Sequence, residues 1–316
     1  MRILVVGAGA TGGYFGGRLM QAGRDVTFLV RPARARVLRE RGLRIVGLGE
    51  QTVLEPELVL AGEIDGPYDL ILLTVKESGL AGAVEDLAPA VGPRTLIMPV
   101  LNGMRQVDLL VERFGEDAVL GGIAYVMTTL DDFGDVQRLA GMHRLAYGRR
   151  DAGTAGAGAG VPDERLQAVH EALSGAGFDT VLSLRILSAM WSKWTFISSL
   201  GAVNVLGGGS VGAVAAVPGG KALAEAVIAE GAAVAAAAGH PVPEQEIDVY
   251  RTMLTKDGSA DTASLFRDLS AGLPVEAEQI FGDLVARADG YGVPVPLLSA
   301  ATVRLRVHNA STANPS

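Results

Sequence analysis

Short apolar runs, each followed by a stretch of helical periodicity, set the texture of the first hundred residues. "RILVV" runs through glycines into "TGGYFGGRLMQAG". "DVTFLV" follows. "YDLILLTV" gives way to "AGAVEDLAPAV", and "TLIMPV" to "VDLLVERFG". Apolar runs of this length bounded by turns read as strands buried on both faces. Their alternation with helices predicts an α/β domain built on a parallel, doubly wound sheet. "LRIVGLGEQTVLEPELVLAG" is short and alternating, and reads as strand pieces.

The texture then changes. "AVLGGIAYVMTTLDDFGDVQRLAGMHRLAYGRRD" reads as strands and turns rather than another strand–helix unit. "AGTAGAGAGVP" is low-complexity and predicts a flexible surface loop. "DERLQAVHEALSGAG" predicts an amphipathic helix and "FDTVLSLRI" a last strand. From about residue 185 the pattern is helical, Ala-rich and nearly free of strand signals. The tail "NASTANPS" offers nothing to bury and is expected to be disordered. A chain of 316 residues is long for a single core. The reading is therefore an N-terminal domain over residues 1–184 and an all-helical C-terminal domain over residues 185–316.

Charge and composition narrow the function classes. The net charge of −8 argues against a nucleic-acid partner, though it leaves room for a local basic pocket holding one small anion. The absence of cysteine removes disulfides, thiolate metal sites and cysteine nucleophiles, and it is compatible with a reducing compartment. The longest Ala-rich stretch, 211–238, is broken by Pro218, Lys221, Glu225 and Glu230, so no membrane span is expected. The opening "MRILVVGAGA" flows into a glycine motif that needs the strand before it, which argues against a signal peptide. These features predict a cytoplasmic protein. The Ala-rich helices suit a homodimer face as well as packing inside one subunit. The four histidines, His143, His170, His240 and His308, show no ligand spacing, and no metal site is expected.

Three glycines carry the first chemistry. Gly7, Gly9 and Gly12 form G-x-G-x-x-G, with Ala10 and Thr11 between the last two, at a strand end opening into a helix. The first allows a tight turn, the second lets the backbone approach a pyrophosphate, and the third lets helix and strand pack closely. This predicts a dinucleotide-binding Rossmann domain whose helix N-terminus faces the phosphates. The second strand ends in "TFLVRPARAR". No acid stands at its tip to bind a ribose 2′-hydroxyl; Arg31 does, followed by Arg34 and Arg36. A guanidinium suits a 2′-phosphate, so NADP(H) is expected over NAD(H). Arg34 and Arg36 are also readable as a solvated basic loop. Lys76, ending "LILLTVK", and Asn102, ending "LIMPVLNG", stand where open α/β sheets place ligands. Taken alone, they read equally as a solvated lysine and a turn asparagine.

Lys193 sits in "ILSAMWSKWTFISSLGAV", a nearly apolar stretch. An amine there is costly unless it is used. Desolvation between Trp191 and Trp194 is expected to lower its pKa and make it a better proton donor.

Together these pieces resemble the ketopantoate reductase (2-dehydropantoate 2-reductase) family over nearly the whole chain. The resemblance rests on "GAGATGGYFGGRL", Arg31, "TVK" at 74–76, "LNG" at 101–103, "WSKW" around Lys193, and "TASLFRDLSAGLPVEAEQIFG". It implies NADPH-dependent reduction of a 2-keto acid to a 2-hydroxy acid, most simply ketopantoate to pantoate in pantothenate biosynthesis. It implies Lys193 as general acid, with Lys76 and Asn102 near the nicotinamide and Asn102 and Lys193 also near the substrate. It adds Ser264 as a substrate-binding serine and Glu276 as an active-site glutamate. Read without the family, Ser264 is a hydroxyl near a helix start and Glu276 an exposed helix charge.

The pattern departs from the family at two positions. Asparagines usually follow the lysine one and two helical turns later; Ile197 and Gly201 stand there instead. Asn204 lies beyond them, and Ser198 and Ser199 occupy neighbouring angular positions. The substitution makes the pocket wall more apolar and weakens recognition of a substrate hydroxyl. Two alternatives therefore stay open: a related oxidoreductase acting on a more apolar 2-keto substrate, and a non-catalytic NADP(H)-binding regulatory protein.

Overall fold

A computed structural model describes residues 1–150 and 164–313. The glycine–alanine segment expected as a surface loop lies outside them. The chain forms two compact units. The first holds residues 1–101 and 106–186; the second holds 102–105 and 187–316.

In the first unit, β1 (Arg2–Val6), β2 (Asp25–Leu29), β5 (Glu57–Val59), β6 (Leu70–Leu73) and β7 (Leu96–Pro99) build one sheet in the order β5-β2-β1-β6-β7. Every pairing in it is parallel. β1, β6 and β7 are apolar on both faces, as strands covered by helices on each side require. Val6 pairs with Leu29 and Leu73, and Leu73 with Pro99, so these strands end flush. The loops that follow them therefore leave from one sheet edge, where open α/β sheets bind ligands. Helices α1 (Ala10–Gln21), α2 (Pro32–Arg41), α3 (Leu80–Leu87) and α4 (Arg105–Phe114) occupy the connections.

The strands that break the alternation form a second sheet rather than extending the first. β3 (Leu43–Gly47) and β4 (Glu50–Leu54) pair antiparallel. The long strands β8 (Leu120–Leu130) and β9 (Val136–Arg149) form a hairpin whose second arm also pairs with β3 and, after helix α5 (Glu164–Leu173), with β10 (Asp179–Leu182). One apolar cluster runs through this unit and includes the fully buried Tyr14, Phe28 and Tyr147.

The second unit is helical among its described residues. It comprises α6 (Ile186–Gly207), α7 (Val211–Ala215), α8 (Gly220–Ala237), α9 (Glu244–Leu254), α10 (Ser264–Ser270), a π-helical turn (Glu278–Gly282), α11 (Asp283–Tyr291) and α12 (Pro296–Ala313). α6 is apolar around most of its circumference, the mark of a central helix. Contrary to the expected disorder, residues 309–313 continue α12. Asn309 explains the extension: its side chain exchanges two 2.9 Å hydrogen bonds with the Val275 backbone. Among the described residues, no helix is long and apolar enough to cross a membrane.

Candidate active site

The glycine loop is held by its neighbours rather than by its own sequence alone. Gly7 adopts φ +94°, a left-handed conformation that favours glycine. Its N–H donates to the Leu29 carbonyl at 3.0 Å. The Thr74 hydroxyl, one strand over, lies 2.9 Å from the Val6 carbonyl oxygen and 2.7 Å from that of Gly7. Gly12 admits no side chain: a Cβ there would stand 2.0 Å from the Gly7 carbonyl oxygen and 2.2 Å from Thr74 Oγ1. Gly9 is the opposite case, for a Cβ there would meet nothing within 4 Å. The open space beside Gly9 is a cradle at the start of α1, whose first residues are Ala10 and Thr11. This helix has no side-chain cap and no acid in its first turn. Its positive end is available to an anion, and the residues present suit a dinucleotide pyrophosphate.

Arg31 lies at the tip of β2 as the N-cap of α2 and is exposed. Its guanidinium rests against the Gly79 backbone, since a Cβ on Gly79 would stand 3.0 Å from Arg31 Nη2. Lys76 is also exposed, at the start of the short 3₁₀ turn Glu77–Gly79. Arg34 departs from the solvated-loop reading. It is half-buried and donates from Nε to the Ala8 carbonyl and from Nη1 to the Gly134 carbonyl, both at 2.8 Å. Burial pulls its pKa below the ordinary arginine value. Arg34 thus ties the glycine loop to the β8–β9 turn, whereas Arg36 remains exposed.

The lysine centre belongs to the second unit. Lys193 Nζ donates to Asn102 Oδ1 at 3.0 Å, 91 residues away in sequence. Asn102 is part of the helical unit, although it follows β7 by three residues. Lys193 retains partial exposure, yet the protein packed around it removes enough water to lower its pKa from 10.5 to about 8. The tryptophans do not sandwich it as expected. Trp191 and Trp194, three residues apart, meet each other at 5.1 Å between ring centroids, and both face the Arg287 guanidinium. Lys193 takes a different angular position on the helix. Trp194 Nε1 donates to the Ile280 carbonyl at 2.9 Å.

The departure at Gly201 has a packing counterpart. A Cβ on Gly201 would stand 2.9 Å from Leu265 Cδ2 and 3.0 Å from Phe281 Cζ. Phe281 is fully buried, so its ring fills the space a side chain at 201 would need. The neighbouring polar groups do not replace an amide. Ser198 bonds the carbonyls of its own helix at Trp194 and Thr195. The Ser199 hydroxyl is buried without a hydrogen-bond partner among the described residues. Asn204 is fully engaged, donating to the Gly209 carbonyl and accepting from the Ala263 N–H at 2.8 Å.

That bond fixes the entry to α10, whose first residue is the exposed Ser264. Glu276 is half-buried in the irregular segment just before the π-helical turn, not on a helix. Two residues on, Glu278 is taken up by Arg306 through two 2.7 Å hydrogen bonds, which hold its carboxyl below the ordinary range. The histidines have structural partners: His143 the Tyr14 hydroxyl, His170 the Tyr147 hydroxyl, His240 the Ser188 hydroxyl and His308 the Leu273 carbonyl. Among the described residues, no group of acids and histidines is placed to hold a metal.

Thr74, Gln279 and Phe281 are not singled out by the sequence pattern. Only Thr74 carries a signal there, as the first residue of "TVK".

Known proteins share this fold. Residues 3–152 match the family described as Ketopantoate reductase PanE/ApbA, and residues 185–309 match its C-terminal counterpart. An uncharacterized oxidoreductase of Bacillus subtilis is 32% identical over 311 residues, covering 98% of this chain and 99% of the relative. The 2-dehydropantoate 2-reductase of Mesorhizobium japonicum is 26% identical over 328 residues, covering 97% of each chain. The ternary structure of D-mandelate dehydrogenase with NADH and anilino(oxo)acetate shares the fold, with a TM-score of 0.85 at 20% identity over 99% of this chain and 100% of that one. The chain is an oxidoreductase of the ketopantoate reductase PanE/ApbA family.

Proposed function

We propose that the protein reduces a 2-keto acid to a 2-hydroxy acid with NADPH, with ketopantoate as the first candidate substrate and Lys193 as the proton donor. The observation that carries this reading is the hydrogen bond from Lys193 to Asn102 in a setting that lowers the lysine pKa to about 8. An ammonium with that pKa is mostly protonated at neutral pH and gives up its proton far more readily than a solvated lysine.

NADPH, when bound, supplies the hydride to the keto carbon. The carbonyl oxygen then carries developing negative charge. Lys193 stabilises that charge and delivers the proton from Nζ, so that the 2-keto acid, the reduced cofactor and one proton give the 2-hydroxy acid and oxidised cofactor. Asn102 Oδ1 holds the ammonium in position between turnovers. Gly7, Gly9, Ala10, Thr11 and Gly12 would hold the pyrophosphate of the bound cofactor, Arg31 its 2′-phosphate, and Lys76 would serve its nicotinamide end. Ser264 and Glu276 bind the substrate. The absence of a carboxylate at the tip of β2 supports NADP(H) over NAD(H). The full set of proton donor and nucleotide cradle argues against a purely regulatory binder.

A second reading is favoured by one observation. With Gly201 closed by Phe281 and Leu265, and Ile197 one turn past the lysine, two positions expected to carry amides offer no polar partner to a substrate hydroxyl. This favours a more apolar 2-keto substrate. The experiment is the same for both: loss of reduced-nicotinamide absorbance with ketopantoate and a panel of larger, apolar 2-keto acids, each with NADPH and NADH. Selective turnover of ketopantoate supports the first reading, and preference for an apolar keto acid supports the second. Cofactor binding without oxidation by any of them overturns both.

A further inference from the structure

The π-helical turn Glu278–Gly282 bonds to Asn102 and to Trp194, the residue after Lys193. Gln279 is 3% exposed, and its Nε2 donates to the Asn102 carbonyl at 2.6 Å. Its own carbonyl packs against the next residue: a Cβ on Gly103 would stand 2.6 Å from Gln279 O, and Gly103 adopts φ +82°. The following carbonyl, Ile280 O, accepts the Trp194 indole N–H, one residue past Lys193 on α6. Two consecutive residues of one turn thus grip the segment bearing Asn102 and the helix bearing Lys193. All of these residues lie in the second unit. A π-helical turn re-aims carbonyls out of the α-helical ladder, and such turns recur at functional sites.

We infer that Gln279 is a positioning residue for the reaction, acting through Asn102: by holding the Asn102 backbone it sets the distance between Asn102 Oδ1 and the Lys193 ammonium. This rests on the reading of Lys193 as proton donor, but the geometry makes a separate claim. The Asn102 side chain is short, and Asn102 lies at a glycine corner. Without the Gln279 amide its backbone is released at the point where it must present Oδ1. The ammonium then loses the hydrogen bond that favours its charged form.

The test uses the full-length protein and a readout independent of turnover. Lys193 is labelled with an amine-reactive reagent over a range of pH, and the modified peptide is quantified by mass spectrometry. Gln279→Met fills the same volume without donating a hydrogen bond. It should move the labelling midpoint to lower pH by about half a unit and lower kcat by about tenfold, with NADPH affinity within about twofold of the parent. Asn102→Ala should move the midpoint in the same direction. In the Asn102→Ala background, Gln279→Met should cost less than about a further twofold in kcat, because the side chain it positions is gone. An unchanged midpoint in Gln279→Met, or an equal loss of kcat in both backgrounds, overturns the inference. Full turnover in Lys193→Ala overturns the proton-donor reading instead, and the labelling shift still decides whether Gln279 sets the lysine's environment. Should Gln279→Met fail to fold, the Asn102→Ala midpoint remains decisive: no shift there removes the link through which Gln279 acts.

Discussion

Gly201 and Phe281 are complementary: the helix bearing Lys193 lacks a side chain where a buried phenyl ring presses against it, 3.0 Å from the position of a Cβ. The departure from the family pattern at 201 is therefore half of a packed pair. Restoring an asparagine at 201 alone should not restore hydroxyl recognition, because the amide has no room. Gly201→Asn is expected to lower stability by about 1–3 kcal/mol, the usual cost of overpacking, despite the better helix propensity of asparagine over glycine. Pairing it with Phe281→Ala should cost less than the sum of the two single changes. Additive denaturation midpoints would mean the two side chains do not compete for that space.

The two glycines of the cradle should respond in opposite ways. Gly9→Ala adds a methyl group to open space and should leave the thermal midpoint within a degree or two of the parent. In the proposed reading it should nonetheless weaken cofactor binding by about tenfold or more, since the methyl would stand where the backbone approaches the pyrophosphate. Gly12→Ala drives a methyl to 2.0 Å from the Gly7 carbonyl oxygen and should destabilise the first unit severely. Calorimetry of unfolding and of NADPH binding separates the two. A Gly9→Ala protein that binds normally would place the pyrophosphate elsewhere.

Arg31 sets the choice of cofactor in the proposed reading. Arg31→Ala should raise the NADPH Kd by about ten- to a hundredfold and change the NADH Kd by less than about threefold, because only the 2′-phosphate is charged there. Equal weakening of both would remove Arg31 from that role. Arg34 behaves differently, since it bonds the Ala8 and Gly134 carbonyls. Its truncation should lower stability as well as affinity for both cofactors.

These contrasts show what sequence makes legible. The glycine spacing, the strand–helix alternation and the lysine in an apolar helix depend on local order, and each appears where pattern reading puts it. The second sheet is less visible, because β3 joins the β8–β9 hairpin by pairing Ile45 with Val136 and Val46 with Gln137, far apart in sequence, which leaves no periodic trace. Nor can the string reveal that Gln279 meets Asn102 or that Phe281 fills the place beside Gly201. Both contacts depend on how separate segments pack, and a buried glutamine between glutamate and isoleucine looks like any surface polar residue until its partner is known. Asn309 misleads for the same reason: its partner is Val275, and without it the tail has no anchor.

The lysine also predicts two pH dependences of opposite sign. In the proposed reading Lys193 donates its proton and must be protonated, so kcat/KM should be level at neutral pH and fall as pH rises through about 8. Stability should run the other way. The folded pKa lies below the ordinary value of 10.5, so the unfolded chain binds more protons between the two, and stability rises with pH across that window. Below about pH 8 the desolvated charge is a standing cost of about 1–2 kcal/mol after allowance for its partial exposure. Lys193→Met should therefore abolish most turnover while raising the denaturation midpoint at neutral pH, and that gain should vanish above about pH 10. Urea titrations of both proteins at neutral and alkaline pH, alongside a pH–rate profile, measure the two signs independently. A methionine protein no more stable at neutral pH would mean that the Asn102 hydrogen bond fully offsets the burial of the charge.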